Sequence, residues 1–357
     1  MSYSERLALA RKRRRLTRKK LAELADLAAD TVTRLEKGLH EPDQETVEKI
    51  SAALEYPEEY FSRSDVEEID VGAVSFRSFS KMTARLRDAA LMAGSIGLEL
   101  SNWVDETFSL PEPDLIDLGY ETDPAAAAVA LRNYWSLGER PIGHLIGLLE
   151  SRGVRVFSLA EETAAVNAFS FWKDELPFVF LNNFKTAESS NFDAAHELGH
   201  LVMHRHGDPK DIKGAEREAD AFASNFLMPE NDVRSRMPRH IGIETILKAK
   251  KRWRVSAMAM TYRLRTLNLL SEYNYKSLCI ELTKLGYRSR EPDGIDRETS
   301  KVWTQILSQM WREGRTKADI ALELSLPLDE VDGLISGIAA LSERPQSTVR
   351  PRLKLVD

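Results

Sequence analysis

Cysteine is almost absent. Cys279 is the single one in 357 residues, which excludes an internal disulfide framework and suits a reducing compartment. It lies in the apolar run Leu278-Cys279-Ile280 and is expected in a core. Long hydrophobic runs are also missing: none approaches the about 18 residues that span a bilayer, so no membrane partner is expected. The opening residues are basic and amphipathic rather than apolar, which predicts no secretory leader and a cytoplasmic location. No internal repeat or low-complexity tract appears, which excludes solenoids and tethers. What is present is ordinary for a packed chain, with 43% hydrophobic and 30% charged residues, and the length allows two or three domains. A net charge of -6 argues against wholesale coating of nucleic acid. It conceals an asymmetry, because Arg and Lys crowd the first twenty residues.

The most informative stretch is His196-Glu197-Leu198-Gly199-His200. Residues four apart on a helix share a face, so both imidazoles can point at one metal ion. Glu197 stands one step round, within reach of a water at that ion without being a ligand. This H-E-x-x-H pattern is the arrangement of zinc peptidases, with two His ligands and a Glu general base. The bland alternative is a surface helix with two unrelated histidines.

A catalytic zinc needs a third protein ligand and an open position. Two residues compete for it. His206 lies at the spacing of the H-E-x-x-H-x-x-G-x-x-H pattern, but Met203 stands where that pattern turns on Gly. Glu216, after the loop Gly207 to Gly214, would open a second helix able to pack against the first, and it is the favoured ligand. Asp220, one turn further, can accept from the far nitrogen of a ligand His and fix its tautomer. Glu218 is the alternative register and points to a different face from Asp220. His204 lies about 12 Å along the helix from His196, too far for all three histidines to bind one ion.

The stretch from Phe192 to Pro229, with H-E-L-G-H, a loop, then E-x-E-A-D-x-F-A and a closing L-M-P, resembles the ImmA/IrrE family of metallopeptidases. The resemblance implies Glu216 as third ligand, Zn2+ or alternatively Mn2+ as cofactor, and cleavage of a helix-turn-helix repressor or antitoxin in stress or toxin–antitoxin control.

The first sixty residues read as short helices. Ser4 can cap the first, with Leu7, Leu9 and Ala10 as apolar positions, and Thr17 a second at Arg18 to Ala25; a third runs from about Ala28 to Glu36 and stops at Gly38, and a fourth follows Pro42-Asp43. A short fifth follows Pro57. The pattern Leu16-Thr17, Leu21-Ala22-Glu23, then Val32-Thr33, Leu35-Glu36 and Gly38 resembles the helix-turn-helix domain of XRE/Cro repressors. It implies that Ala29, Asp30, Thr33 and Arg34 face the major groove of an operator. Arg34 could fork onto a guanine, while Arg18, Arg13 and Arg14 hold phosphates. Asp26 stands where the tight turn usually carries Gly, a position Asp can fill at positive φ. Asp30 repels phosphate unless it accepts from a cytosine amine. The alternative is a five-helix protein-interaction module.

Elsewhere, Arg63 to Asp70 reads as an acidic linker. Helices are expected at 82–108, 125–135 and 142–152, with strands at 154–159, 166–172 and 178–182. More helices follow at 243–253, 256–267, 303–313, 317–324 and 328–341. The last group could pack back or dimerise. The expected class is mainly α (α+β): a five-helix DNA-binding domain at 1–62, a linker at 63–80, and a gluzincin-like metallopeptidase domain with a small sheet at 81–236. A helix-turn-helix-like extension at 237–290 and a helical tail at 291–357 complete it. The functional expectation is a DNA-binding regulator with a zinc endopeptidase, as monomer or homodimer. The alternative is a regulator whose metal domain senses or stabilises without turnover.

Overall fold

The computed structural model describes residues 2–64, 69, 83–159, 168–182, 184–205, 211–288 and 290–339. Most of the linker, the segment around Val74 to Ser78, and His206 lie outside the described residues.

The head is built from α1 (Ser2–Arg13), α2 (Arg18–Leu24), α3 (Ala29–Glu36), α4 (Gln44–Leu54) and a 3₁₀ turn at Glu58–Ser62. The first helix begins before Ser4, so Ser4 is not its cap. Thr17 accepts from the Lys20 amide at 3.1 Å and Asp43 from Thr46 at 2.9 Å, satisfying amides that a helix start leaves open. Asp26 does take positive φ, 52°, and so makes the turn between α2 and α3 without glycine. Leu7, Leu21, Val32, Leu35, Ile50 and Tyr60 fill the core between these helices.

Helix α5 (Ala84–Thr107) is buried almost continuously from Ala89 to Leu98 because it lies between other elements. It packs against α1 on one side and the sheet on another. Buried Arg6 of α1 pairs with Glu99 at 3.2 Å. Helices α6 (Pro124–Tyr134) and α7 (Leu145–Ser151) follow.

The sheet has the order β1 (Arg155–Leu159), β3 (Leu176–Asn182), β2 (Phe169–Lys173). β1 is parallel to β3 and β2 antiparallel to it. Asp174 and Glu175, at φ 46° and 66°, form the two-residue turn joining β2 to β3. Positive φ at both centres is the hairpin geometry that matches strand twist. Phe157, Phe169, Phe171, Phe178 and Phe180 stack across the three strands, with Phe169 and Phe180 centroids 4.7 Å apart.

Against this sheet lies α8 (Ala187–Met203), capped by Thr186 and carrying the H-E-x-x-H residues. Helix α9 (Ile212–Leu227) packs on α8 and on α6. A Cβ added at Gly199 would stand 3.0 Å from the Phe222 ring and 3.3 Å from the Ala219 Cα. The absence of a side chain there lets α8 and α9 cross closely.

Helices α10 (Glu230–Arg236), α11 (Ile243–Trp253), α12 (Ala257–Thr266) and α13 (Glu272–Lys284) come next. Only Leu278 and Leu282 of α13 are buried, so Cys279 is half-buried rather than in a core. The helix packs on α12 along one face. The chain ends its described part with α14 (Lys301–Arg312), α15 (Lys317–Glu323) and α16 (Leu328–Ile335). These pack back onto the chain. Buried Glu150 of α7 accepts from the Lys301 amide at 2.8 Å, and Ser158 of β1 donates to the Gly333 carbonyl at 2.5 Å.

Candidate functional site

The crossing of α8 and α9 brings together His196, His200 and Glu216, whose candidate ligand atoms all lie within 4.8 Å of one another. The two Nε2 atoms are 3.1 Å apart. Glu216 places one oxygen 3.3 Å from His196 Nε2 and the other 3.4 Å from His200 Nε2. His200 and Glu216 are buried and His196 nearly so.

Asp220 accepts from His196 Nδ1 at 2.9 Å. A carboxylate only accepts, so Nδ1 carries a proton in either charge state, and once the imidazole is neutral its Nε2 lone pair faces the centre. Burial opposes a charge on His196. The hydrogen bonds to Asp220 and Glu216, with the charge of Glu197, outweigh it and raise the imidazole to about 10. Burial likewise works against an ionised Glu216, but hydrogen bonds from His196 and His200 hold its carboxyl well below the usual range. The centre therefore has a strong electrostatic demand for positive charge. Two imidazole nitrogens and a carboxylate are a donor set that suits a borderline divalent ion such as zinc, so these residues fit the metal that the pattern implies.

Glu197 is buried on the sheet side of α8. Ser170 of β2 donates to its Oε2 at 2.7 Å. Nothing in the sequence pointed to Ser170, which lies on a different element. Gly199 likewise stands at an unspecified position of the motif, and its missing side chain is what lets the two helices cross closely.

In the head, Ala29, Asp30 and Arg34 are exposed and Thr33 half-buried along one side of α3. Arg18, about half exposed, stands 2.5 Å from Glu36, which Arg11 also approaches at 3.1 Å. Arg13 and Arg14 have a different setting. Arg13 pairs with the buried Glu330 of α16 at 2.7 Å and Arg14 with Asp329 at 2.5 Å. The Tyr56 hydroxyl donates to Glu330 at 2.9 Å. Both guanidinium groups thus face carboxylates of the chain itself.

Among the described residues no helix is long and apolar enough to cross a membrane. No curated protein matches the chain. Family models do match two parts of it: a helix-turn-helix model over residues 7–61 and an IrrE N-terminal-like domain model of the Peptidase_M78 family over residues 149–265. The second match takes in α8, α9 and the whole of the His-His-Glu cluster. The matches thus give the chain an XRE-type helix-turn-helix domain at its N-terminus and an IrrE N-terminal-like, Peptidase_M78 domain around the cluster.

Proposed function

We propose that this protein is a zinc-dependent endopeptidase directed to DNA by its head, and that it cleaves a repressor- or antitoxin-type protein to change gene expression. The observation that carries the reading is the convergence of two imidazoles and a carboxylate beside Glu197. A site that only holds a metal for stability has no use for a general base next to it.

His196, His200 and Glu216 would hold the ion, Zn2+ in first place and Mn2+ as alternative, with Asp220 orienting His196. Such an ion, when bound, lowers the pKa of water and polarises a scissile carbonyl. Glu197 takes the proton of the attacking water and passes it to the leaving amine. Ser170 holds Glu197 Oε2, fixing the carboxylate so that the other oxygen serves the proton. Ala29, Asp30, Thr33 and Arg34 would read the operator, with Arg18 on phosphate.

The test is incubation of the full chain with candidate helix-turn-helix repressors and antitoxins, with zinc and with chelator. Wild type should yield fragments only with metal. Glu197→Gln should keep its metal and yield none, because the base is lost while the ligands remain. Cleavage by Glu197→Gln at the wild-type rate would rule out the mechanism. A loaded wild type that cuts none of these proteins, but whose operator affinity follows metal content, would favour a metal sensor instead.

A further inference from the structure

The α8 series continues past the metal pair. His204, the residue closing α8, lies one further turn along the face of His196 and His200. Opposite it on α9 stands Glu218, two residues from Glu216 and two from Asp220. His204 Nε2 is 2.9 Å from Glu218 Oε2, and His204 Nδ1 is 3.0 Å from His200 Nδ1.

These two distances fix the proton positions in the arrangement that holds a metal. A carboxylate only accepts, so Glu218 takes the hydrogen bond from His204 Nε2–H. Neutral His204 then has its lone pair on Nδ1, and that nitrogen accepts from His200 Nδ1–H. The one remaining nitrogen of His200 is Nε2, and its lone pair faces His196 Nε2 and Glu216 Oε1. In any other assignment two hydrogens meet between the rings, or a hydrogen occupies the nitrogen that must bind the ion.

We infer that His204 and Glu218 form a positioning relay that holds His200 in its metal-binding tautomer, as Asp220 does alone for His196. The inference rests on the metal centre proposed above. It gives a use to a third imidazole that is too far along α8 to share the ion yet keeps only 14% side-chain exposure. It also gives the two ligand histidines unequal support. His196 is oriented by a carboxylate directly, whereas His200 is oriented by a carboxylate through a second ring.

The experiment measures zinc affinity of the full chain by chelator competition, together with the absorption bands of the cobalt-loaded protein and the melting temperature of the metal-free protein. His204→Phe keeps a ring but removes the acceptor. It should bind zinc about 10–100-fold more weakly and shift the cobalt bands. His204→Asn places an amide oxygen near the position of the lost Nδ1 and should stay within about threefold of wild type. Glu218→Gln can still accept from His204 and should also stay close to wild type. Metal-free melting should be similar for the Phe and Asn variants. The relay is overturned if His204→Phe binds like wild type, or if Phe and Asn weaken binding equally. Glu216→Ala is the control for the centre itself. Loss of zinc in that variant with no effect of His204→Phe refutes the relay alone, whereas retention of zinc refutes the metal centre and the relay with it.

Discussion

Glu330 of α16 accepts from Arg13 of α1 at 2.7 Å, a contact between residues 317 positions apart. Glu330 is 2% exposed in its side chain and Arg13 11%. The same carboxylate accepts from Tyr56, and Asp329 beside it pairs with Arg14. Helix α16 also packs on β1 and α5, so one short helix touches both the DNA-binding head and the sheet that supports the candidate metal centre.

Removal of Glu330 should therefore be costly. Breaking a buried pair strips the remaining charge of its main compensation, and Glu330→Ala is expected to lose about 3–5 kcal/mol. Asp329→Ala, at 59% exposure, should lose under about 1 kcal/mol. Urea unfolding followed by tryptophan fluorescence would compare the two. Equal, small shifts for both variants would mean that the head is not held by this contact.

At the α8–α9 crossing, Gly199→Ala and Gly199→Val should part company. Alanine gains about 1 kcal/mol of helix propensity over glycine, which offsets a contact of 3.0 Å to the Phe222 ring. Valine adds two methyl groups against the Ala219 backbone, an overpacking worth about 1–3 kcal/mol. Because Glu216 lies one turn before Ala219 on the same helix, the valine variant should also bind zinc more weakly. Thermal melting and chelator competition on the same samples would check this; a valine variant with full zinc affinity would show that the crossing does not set the site.

The centre also predicts an unusual pH dependence in the metal-free protein. His196 is raised from 6.5 to about 10, so its stabilisation is complete below 6.5 and is lost as the pH rises through about 10. Glu216 is held below 4.5, so its stabilisation is present above 4.5 and is lost as the pH falls further. Chelated wild type should thus be best stabilised by this network between these limits and weaken toward pH 10. In Asp220→Asn the rise in His196 is smaller and the alkaline loss should shrink. Metal binding runs the other way, because the ligands must be deprotonated, so zinc should add more stability as the pH climbs. Parallel urea midpoints for the two chelated proteins across the range would contradict the account.

How much of this was legible in the sequence depends on how far apart the partners lie. His196, His200 and Asp220 follow from helical period and one helix–loop–helix step, so residue spacing is enough to bring them together. The positive φ of Asp26 and the three strands were likewise local matters of turn chemistry and alternation. Ser170 meets Glu197 only because β2 lies against α8, and Arg13 meets Glu330 only because the last helices fold back; neither contact leaves a periodic trace. Cys279 misled for a related reason. Its apolar neighbours suggest a core, but α13 is covered along one face only, and that depends on what packs against it. His204 lies one turn beyond the pair on α8, and its contact with Glu218 depends on how α9 packs, which spacing alone does not reveal.

The last prediction separates the arginines of the head. Arg34 is exposed on the outward side of α3, whereas Arg13 and Arg14 face the carboxylates of α16. A bidentate contact to a base is worth about 1–3 kcal/mol, and a single phosphate contact changes the salt slope by about 1. Arg34→Ala should therefore weaken operator binding by about 1–3 kcal/mol and relax base preference at one position. Arg18→Ala should weaken all DNA sequences alike and reduce the salt slope by about 1. Arg14→Ala should leave the slope unchanged while lowering the stability of the whole chain, since its guanidinium is largely covered between Asp329 and Glu330, whereas Arg18 beside Glu36 is about half exposed. Fluorescence anisotropy with labelled duplexes over a salt series reads all three. A fall of about 1 in the slope for Arg14→Ala would mean that the pair with Asp329 opens when DNA binds, and that α16 yields the head's arginines to the phosphates.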